Sequence, residues 1–368
     1  MKFTCTQQTL SKALNTVSKA VTNRTTIPIL KGILLDATED GKLSLTASDM
    51  EISIEKKIDV DVIKPGKAVV QAKLFSDIIR KLSSGEVLIE LKENRQITIK
   101  NETSQFNIAG LPEDEFPGTG EMDEDSEKLV FEKDMFKDMI KKTSFAASID
   151  ESKGIIVGVL IEIEENSINM VALDGFRMAI AREMIKNSSQ KKIIIAAKIL
   201  NDINKIISEI EGEEELTLIL NNKKALILVE NTRIVLRLLE GEFIKYKDIV
   251  PGNHKCRIKV KRTALMESIE RASILAKEGK NNLIKIMTGA SSMTITSRSE
   301  EGDVKEEVSI ERAGNDLEIG FNSKYIIDVL KVVDDEEIVM DLTTSVSPCL
   351  IRPSEGDAFE YLILPVRI

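Results

Sequence analysis

The histidine content limits the chemistry that this chain could support. It contains one histidine, His254, in the turn-like stretch 251–255. Serine triads, cysteine–histidine dyads and multi-histidine metal sites all need partners that one loop histidine cannot provide. We therefore predict that His254 is a solvated loop residue, and we predict no catalytic residue and no metal ligand.

The cysteines and the glycine-containing segments offer no other familiar chemistry. Cys5, Cys256 and Cys349 are far apart in the sequence and lack CxxC spacing, so we expect reduced, buried thiols. The sequence contains no GxxxxGK[ST] phosphate-binding motif, and the glycine-containing segment 117–120 continues into the acidic run 121–125. We predict that the protein needs no cofactor and is not an enzyme.

Length and composition predict several globular domains. The 368 residues are 42% apolar and 30% charged, and a chain of this length fits two or three domains of about 100 to 150 residues. The N-terminus lacks the apolar stretch of a signal peptide, and no run of about 18 uncharged apolar residues occurs. We expect a cytoplasmic protein.

One segment occurs three times, with a period of about 125 residues. The copies 72–82, 197–207 and 323–333 have the apolar spacing of a short amphipathic helix. Lysines recur at 73, 198 and 324, and aspartates recur at 77, 202 and 328. A second amphipathic helix is predicted to open each repeat, at residues 9–21, 132–148 and 261–277.

Alternating, strand-like runs follow both helices of every repeat. After the first helix these runs are 42–46, 167–171 and 292–296, and after the second they are 87–91, 216–220 and 338–342. The pattern predicts an α+β fold of three tandem domains, each with two helices on an antiparallel sheet. Linker composition places the domains at residues 1–120, 128–251 and 255–368.

Positive charge is concentrated in the predicted helices. The whole chain has a net charge of −10, whereas the six helical segments contain 18 basic and 8 acidic residues, a net charge of +10, when counted over residues 9–24, 72–82, 132–148, 196–207, 261–277 and 323–333. If these helices line a common surface, that surface would attract phosphates while the acidic remainder would repel nucleic acid. Weak, non-specific binding to DNA that the protein encircles would fit this distribution. The alternative is a repeat-built protein-interaction scaffold that does not encircle DNA.

Five motifs resemble the family of bacterial sliding clamps, the β subunits of DNA polymerase III, in order and spacing along the whole chain. They are residues 1–4, 24–30, 174–179, 320–322 and 361–368. The resemblance implies three clamp domains per chain and a head-to-tail homodimeric ring with twelve helices inside. Helices spaced at about 9 Å would surround an opening of roughly 24 Å, wide enough for a duplex. It also implies a non-enzymatic processivity factor for DNA polymerase in the cytoplasm, associated with the nucleoid.

The resemblance implies three kinds of binding residue. Candidate contacts to double-stranded DNA are Arg24, Lys73 and Lys198. A stacking contact to single-stranded template is doubtful, because this chain has Gly154-Ile155 where other members have paired tyrosines. For the dimer contact the resemblance suggests Phe106 against Ile274 and Leu275, with Glu300, Glu301 and Asp303 facing basic residues.

A hydrophobic groove for partner peptides is the third implied site. Its residues would be Ile156, Leu173, Gly175, Arg177, Met178, Ile244, Ile249, Val346, Leu362, Leu364, Pro365, Val366 and Arg367. Aliphatic walls would take leucine and phenylalanine anchors of an extended peptide, while Arg177 and Arg367 would orient its polar groups. Phe176, Ile244 and Asp248 replace a histidine, a proline and an arginine common in the family, which would make part of the groove less positive.

Implied partners of this groove are the replicative polymerase and other clamp-motif proteins, with a clamp-loader ATPase to open the ring. From the residues alone, the C-terminal stretch could equally be a final core strand. The family position favours the groove.

Overall fold

The computed structural model describes residues 1–22, 25–118, 122, 126–186, 190–212 and 214–368. Arg24, one of the three candidate DNA contacts, lies outside these described residues. Across the described ranges, no helix is long and apolar enough to cross a membrane. The chain divides into two compact units, unit 1 with Met1–Asp134 and Lys205–Leu238, and unit 2 with Met135–Asn204 and Leu239–Ile368.

Six α-helices occur in the described part of the chain, two in each predicted repeat. They are α1 (Gln7–Val17), α2 (Ala72–Lys81), α3 (Lys133–Thr143), α4 (Ala197–Ser208), α5 (Arg262–Glu278) and α6 (Ser323–Leu330). The prediction of six helices is confirmed. Several predicted ends are wrong, since α1 stops at Val17 and α3 at Thr143, each followed by a short 3-10 turn.

Antiparallel strands precede and follow these helices along the chain. The first repeat contains β1 (Lys2–Thr6), β2 (Gly32–Ala37), β3 (Lys42–Ser48), β4 (Ile52–Asp59), β5 (Asp61–Lys64), β6 (Gly66–Gln71), β7 (Glu86–Leu91), β8 (Gln96–Lys100) and β9 (Gln105–Ala109). The second contains β10 (Glu127–Glu132), β11 (Gly158–Ile163), β12 (Ser167–Leu173), β13 (Arg177–Met184), β14 (Lys191–Ala196), β15 (Glu215–Leu220), β16 (Lys224–Val229) and β17 (Thr232–Arg237).

The third repeat contains β18 (Cys256–Lys261), β19 (Leu283–Thr288), β20 (Ser292–Ser299), β21 (Gly302–Ser309), β22 (Glu311–Gly314), β23 (Glu318–Asn322), β24 (Glu337–Leu342), β25 (Cys349–Pro353) and β26 (Phe359–Ile363). The α+β prediction and all six predicted strand-like runs are confirmed. The prediction that a helix opens each repeat is wrong, because β1, β10 and β18 precede the helices. In β1, β10 and β18 buried and more exposed residues alternate, which is the pattern of a strand with one face in the core.

Local sequence explains how the helices begin and which face they bury. The Thr6 side chain accepts a hydrogen bond from the Thr9 backbone N–H and caps α1. Asn322 caps α6 in the same way, through the N–H of Lys324. α2 buries Phe75, Ile78 and Ile79 on one face, following the helical period.

The sheets extend across the repeat boundaries. In unit 1 a five-stranded sheet has the order β5-β1-β7-β8-β9, and an eight-stranded sheet has the order β10-β15-β16-β17-β4-β3-β2-β6. In unit 2 a nine-stranded sheet has the order β14-β11-β12-β13-β26-β25-β24-β18-β22, and a four-stranded sheet has the order β21-β20-β19-β23.

The same kind of strand pairing occurs at both repeat boundaries. β4, the third strand after the first helix of its repeat, pairs antiparallel with β17, the last strand of the second repeat. β13 has the same position in the second repeat, and it pairs with β26, the last strand of the third. Each pairing satisfies the backbone of two strands that would otherwise be sheet edges.

Gly314 fits a position in the third repeat that no larger residue could occupy. It lies opposite Cys256 where β22 pairs with β18, and its φ is +98°. A Cβ atom at this site would overlap the carbonyl oxygen of Lys255. A side chain is therefore excluded by both backbone conformation and space.

We predict that Gly314→Ala lowers the free energy of unfolding by at least about 2 kcal/mol, because the backbone must move to relieve the overlap. Gly252→Ala is the matched control, since a Cβ atom added there would have no other atom within 4 Å and its φ is not positive. Urea unfolding measures both. Equal stability of the two variants would contradict the prediction.

Candidate functional site

Residues predicted for the peptide groove meet on one side of the nine-stranded sheet. Leu173, Met178 and Leu362 are members of a buried cluster, and Ile156 packs against it. The remaining members of that cluster are Leu160, Val171, Ile180, Ile194, Tyr246 and Leu350. The pairing of β13 with β26 places Met178 directly opposite Leu362. Leu173, Met178 and Leu362 provide an apolar floor.

Several of the other residues predicted for the groove are apolar and exposed. Ile244 and Ile249 are 42% and 43% exposed, and both are bonded through their backbones to Tyr246, a member of the cluster. Leu364 is 36% exposed and Val346, in the turn before β25, is 72% exposed. Such apolar groups next to a buried apolar floor are typical of a peptide-binding groove.

The C-terminal stretch is divided between core and surface. Residues Phe359–Ile363 form β26, where Tyr361 and Ile363 are fully buried, so the core-strand interpretation holds for this part. At Leu364 the chain leaves the strand, although its N–H still donates to the Phe176 carbonyl at 2.9 Å. Pro365 and Val366 are half-buried, and Arg367 is exposed.

Arg177 is held by contacts within unit 2. Its Nε donates to Asp174 Oδ2 at 3.0 Å, its Nη1 to Asp328 Oδ2 at 2.6 Å, and its Nη2 to the Phe145 carbonyl at 2.8 Å. The guanidinium carbon lies 4.7 Å from the Tyr325 ring centroid and 5.2 Å from that of Phe145. All three nitrogens therefore have partners inside the protein, and orientation of a peptide by Arg177 stays a prediction.

A tight turn presents Phe176 beside this network. Asp174 Oδ1 accepts from the N–H groups of Phe176 and Arg177 at 2.8 and 3.0 Å, and Gly175 has φ +94°. The Phe176 ring is 60% exposed and stacks on Tyr325 with centroids 6.3 Å apart. Burial, followed by the charge on Asp174, raises the pKa of Tyr325, so its phenol is neutral at neutral pH.

Sequence reasoning missed three residues around Arg177, namely Phe145, Tyr325 and Asp328. The repeat contained a signal for one of them. Asp77, in the first repeat, pairs with Arg80 one helical turn away, whereas Asp328 at the equivalent position pairs with Arg177 on a distant strand. The third copy of a repeated aspartate thus holds Arg177.

The candidate DNA-contacting lysines share one position in their helices. Lys73 and Lys198 are the exposed second residues of α2 and α4, and Lys324 occupies the same place in α6. No ion pair joins these three ammonium groups to other residues that the structure describes. The N-terminus of a helix carries a partial positive charge, and a lysine there adds to it. Each of these three positions therefore suits an anion.

The predicted dimer residues lie at or near terminal strands of two sheets. Phe106 is 41% exposed on β9, the last strand of the five-stranded sheet. Ile274 is 66% exposed on α5, beside the half-buried Leu275. Glu300 and Glu301 lie in the turn before β21 and Asp303 lies on β21, which ends the four-stranded sheet, and all three are exposed.

The cysteines and the histidine considered for catalysis have the burial that the sequence predicts. Cys5, Cys256 and Cys349 are free and buried, as predicted, and burial raises the pKa of each thiol. His254 is exposed, as predicted for a loop residue. No cluster of three or more metal-binding side chains occurs among the residues described.

We predict that Asp328→Ala lowers the free energy of unfolding by about 1–3 kcal/mol, because it leaves the largely buried Arg177 without one acceptor. Asp77→Ala removes the equivalent aspartate of the first repeat, whose partner Arg80 is 66% exposed, and should cost less than about 1 kcal/mol. Chemical unfolding measures the difference. If both variants lose the same free energy of unfolding, the bond from Arg177 to Asp328 does not stabilise the fold more than the exposed pair does.

The chain is similar to known proteins over its whole length. Models of the DNA polymerase III beta subunit match three parts of the sequence: the N-terminal domain model matches residues 1–121, the central domain model residues 130–245, and the C-terminal domain model residues 247–367. The "Beta sliding clamp" of Staphylococcus epidermidis is 35% identical over 378 aligned positions, covering 100% of this chain and 99% of the relative.

Solved structures show the same fold. The crystal structure of the DNA polymerase sliding clamp from Bacillus subtilis is 34% identical, has a TM-score of 0.95, and is matched over 100% of this chain and 99% of that chain. A Pseudomonas aeruginosa sliding clamp bound to griselimycin is 26% identical with a TM-score of 0.94, matched over 100% of both chains.

Proposed function

The chain belongs to the bacterial DNA polymerase III β-subunit family, and we propose that two copies of it close head to tail into a ring around duplex DNA. As a sliding clamp it is a processivity factor of DNA polymerase. Its work is to hold a polymerase on its template, and we propose no catalytic step and no cofactor for it.

The strand pairing at the repeat boundaries carries the proposal of a ring. Inside the chain, the third strand after the first helix of one repeat pairs with the last strand of the next repeat, as β4–β17 and β13–β26. The strands that remain in these two positions are β21 and β9, and each is the terminal strand of its sheet. Pairing β21 of one copy with β9 of another would repeat the same contact. Two copies joined in this way would close a ring of six repeats.

Positive helix ends suit the inside of such a ring. Lys73 and Lys198 would meet DNA phosphates, and Lys324 has the same position in the third repeat. Phosphate contacts carry no sequence information, so the ring would not be held at one site. The acidic balance of the remaining chain would keep DNA from binding the outside.

The apolar groove of unit 2 would bind short peptides of partner proteins. Its buried floor, Leu173, Met178 and Leu362, and its exposed Ile244, Ile249 and Leu364 suit leucine and phenylalanine side chains of an extended peptide. We propose the replicative polymerase and other replication or repair proteins as its ligands. A clamp-loader ATPase would open the ring, and the protein would act in the cytoplasm at the nucleoid.

We predict that the double variant Lys73→Glu/Lys198→Glu shortens the DNA made per polymerase binding event. Four positive charges per ring become negative, which weakens phosphate binding and lowers its salt dependence by about one unit of slope per lost contact. The control Lys64→Glu/Lys223→Glu makes the same charge change at exposed sites outside the helices. Product lengths from a primed circular template measure both. Equal product lengths for the two double variants would contradict the proposed interior.

We predict that Phe106→Asp or Ile274→Asp converts the dimer into monomers, because a buried, unpaired carboxylate is costly at an interface. Light scattering at micromolar concentration should give the mass of two 40.9 kDa chains for the original protein and of one for each variant. Ile149→Asp, at a fully exposed isoleucine, is the control and should stay dimeric. A monomeric original protein would refute the ring.

A further inference from the structure

A buried carboxylate lies beneath one wall of the groove. Glu162 is on β11 with its side chain 2% exposed. Its Oε1 accepts from Lys192 Nζ at 2.7 Å, and its Oε2 accepts from Tyr246 OH at 2.8 Å and from Lys247 Nζ at 3.2 Å. Burial favours the neutral acid, but the bonds from Lys192, Tyr246 and Lys247 outweigh it and lower the pKa of Glu162. The group is therefore a carboxylate at neutral pH.

Tyr246 connects this carboxylate to the groove. Its ring is 6% exposed and belongs to the cluster that contains Leu173, Met178 and Leu362. Its backbone N–H donates to the Ile244 carbonyl at 2.7 Å, and its own carbonyl accepts from the Ile249 N–H at 3.0 Å. Fixing the position of Tyr246 therefore restrains the backbone of both exposed isoleucines.

The segment that carries these isoleucines has little regular structure to fix it. Between β17 and β18 the described chain forms one short 3-10 turn, Tyr246–Asp248. Its first residues are held by backbone bonds from Leu238 to Lys223 and from Leu239 to Ile194. Beside the isoleucines, Tyr246 combines a buried ring with a bond to a charged group. A segment that is ordered before a ligand arrives loses less entropy on binding.

We infer that Glu162 is a positioning residue for peptide binding: through Tyr246 it fixes the wall formed by Ile244 and Ile249 and thereby sets the affinity of the groove. The inference rests on the proposed function of the groove. Glu162 itself is buried below the wall and would not touch the peptide.

Two variants weaken this link in different ways. Glu162→Gln removes the charge that attracts two lysines and keeps the shape, and Tyr246→Phe removes the hydroxyl and keeps the ring. We expect either change to raise the Kd of a fluorescein-labelled peptide carrying leucine and phenylalanine by about tenfold, measured by anisotropy. We also expect shifted methyl NMR signals of Ile244 and Ile249 in the peptide-free protein, which a general loss of stability would not produce.

Asp341→Asn is the matched control. Asp341 is 6% exposed in the same sheet and accepts two bonds from Arg257, but that arginine lies on β18, which already pairs with β24 through its backbone. This variant should lower the thermal unfolding midpoint and leave the peptide Kd unchanged. Leu364→Arg, within the groove itself, should abolish peptide binding.

The outcomes separate the inference from the proposal beneath it. If Glu162→Gln and Tyr246→Phe bind the peptide as tightly as the original protein, the inference is wrong and the groove stands. If Glu162→Gln fails to fold, Tyr246→Phe alone decides in the same way. If the original protein does not bind the peptide, or if Leu364→Arg has no effect, the proposed groove fails and the inference fails with it.

Discussion

Antiparallel pairing between the third strand after the first helix of one repeat and the last strand of the next is the interaction on which the rest of the structure depends. It occurs twice within the chain, with five residue pairs in β4–β17 and five in β13–β26. Each pairing extends a sheet from one repeat into the next, so that the exposed backbone groups of both strands are satisfied. The strands left unpaired in these two positions, β21 and β9, each end a sheet and are the basis of the proposed contact between copies.

The two repeat boundaries within the chain have the same backbone geometry but different side chains. An aspartate, Asp49 or Asp174, accepts N–H bonds in the turn before β4 or β13, and the next residue has a positive φ in both turns. After the second turn comes Arg177, whose charge is neutralised by Asp174 and Asp328, whereas the corresponding residue after the first turn is Ile52. One repeated backbone geometry thus presents different side chains at the two boundaries, and those at the second boundary belong to the proposed groove of unit 2.

Much of the fold could be predicted from the sequence, because helices and strands have characteristic apolar periods and the repeat is visible as recurring segments. Helix ends were less predictable: α3 gives way to a 3-10 turn at Ser144, which apolar spacing alone does not reveal. The pairing of β13 with β26 joins residues nearly two hundred positions apart, and no local pattern specifies it. The bonds from Arg177 to Asp328 and from Tyr246 to Glu162 join residues 151 and 84 positions apart and form only in the folded chain, so no local sequence pattern predicts them.

The most direct test of an enclosing ring is retention on circular DNA. Labelled protein would be loaded by a bacterial clamp loader with ATP onto a nicked circular plasmid, and half of the sample would then be linearised by a restriction enzyme. The account predicts that the protein stays with the circle through gel filtration and slides off the linear DNA. Equal retention on both forms, or equal loss from both, would contradict it.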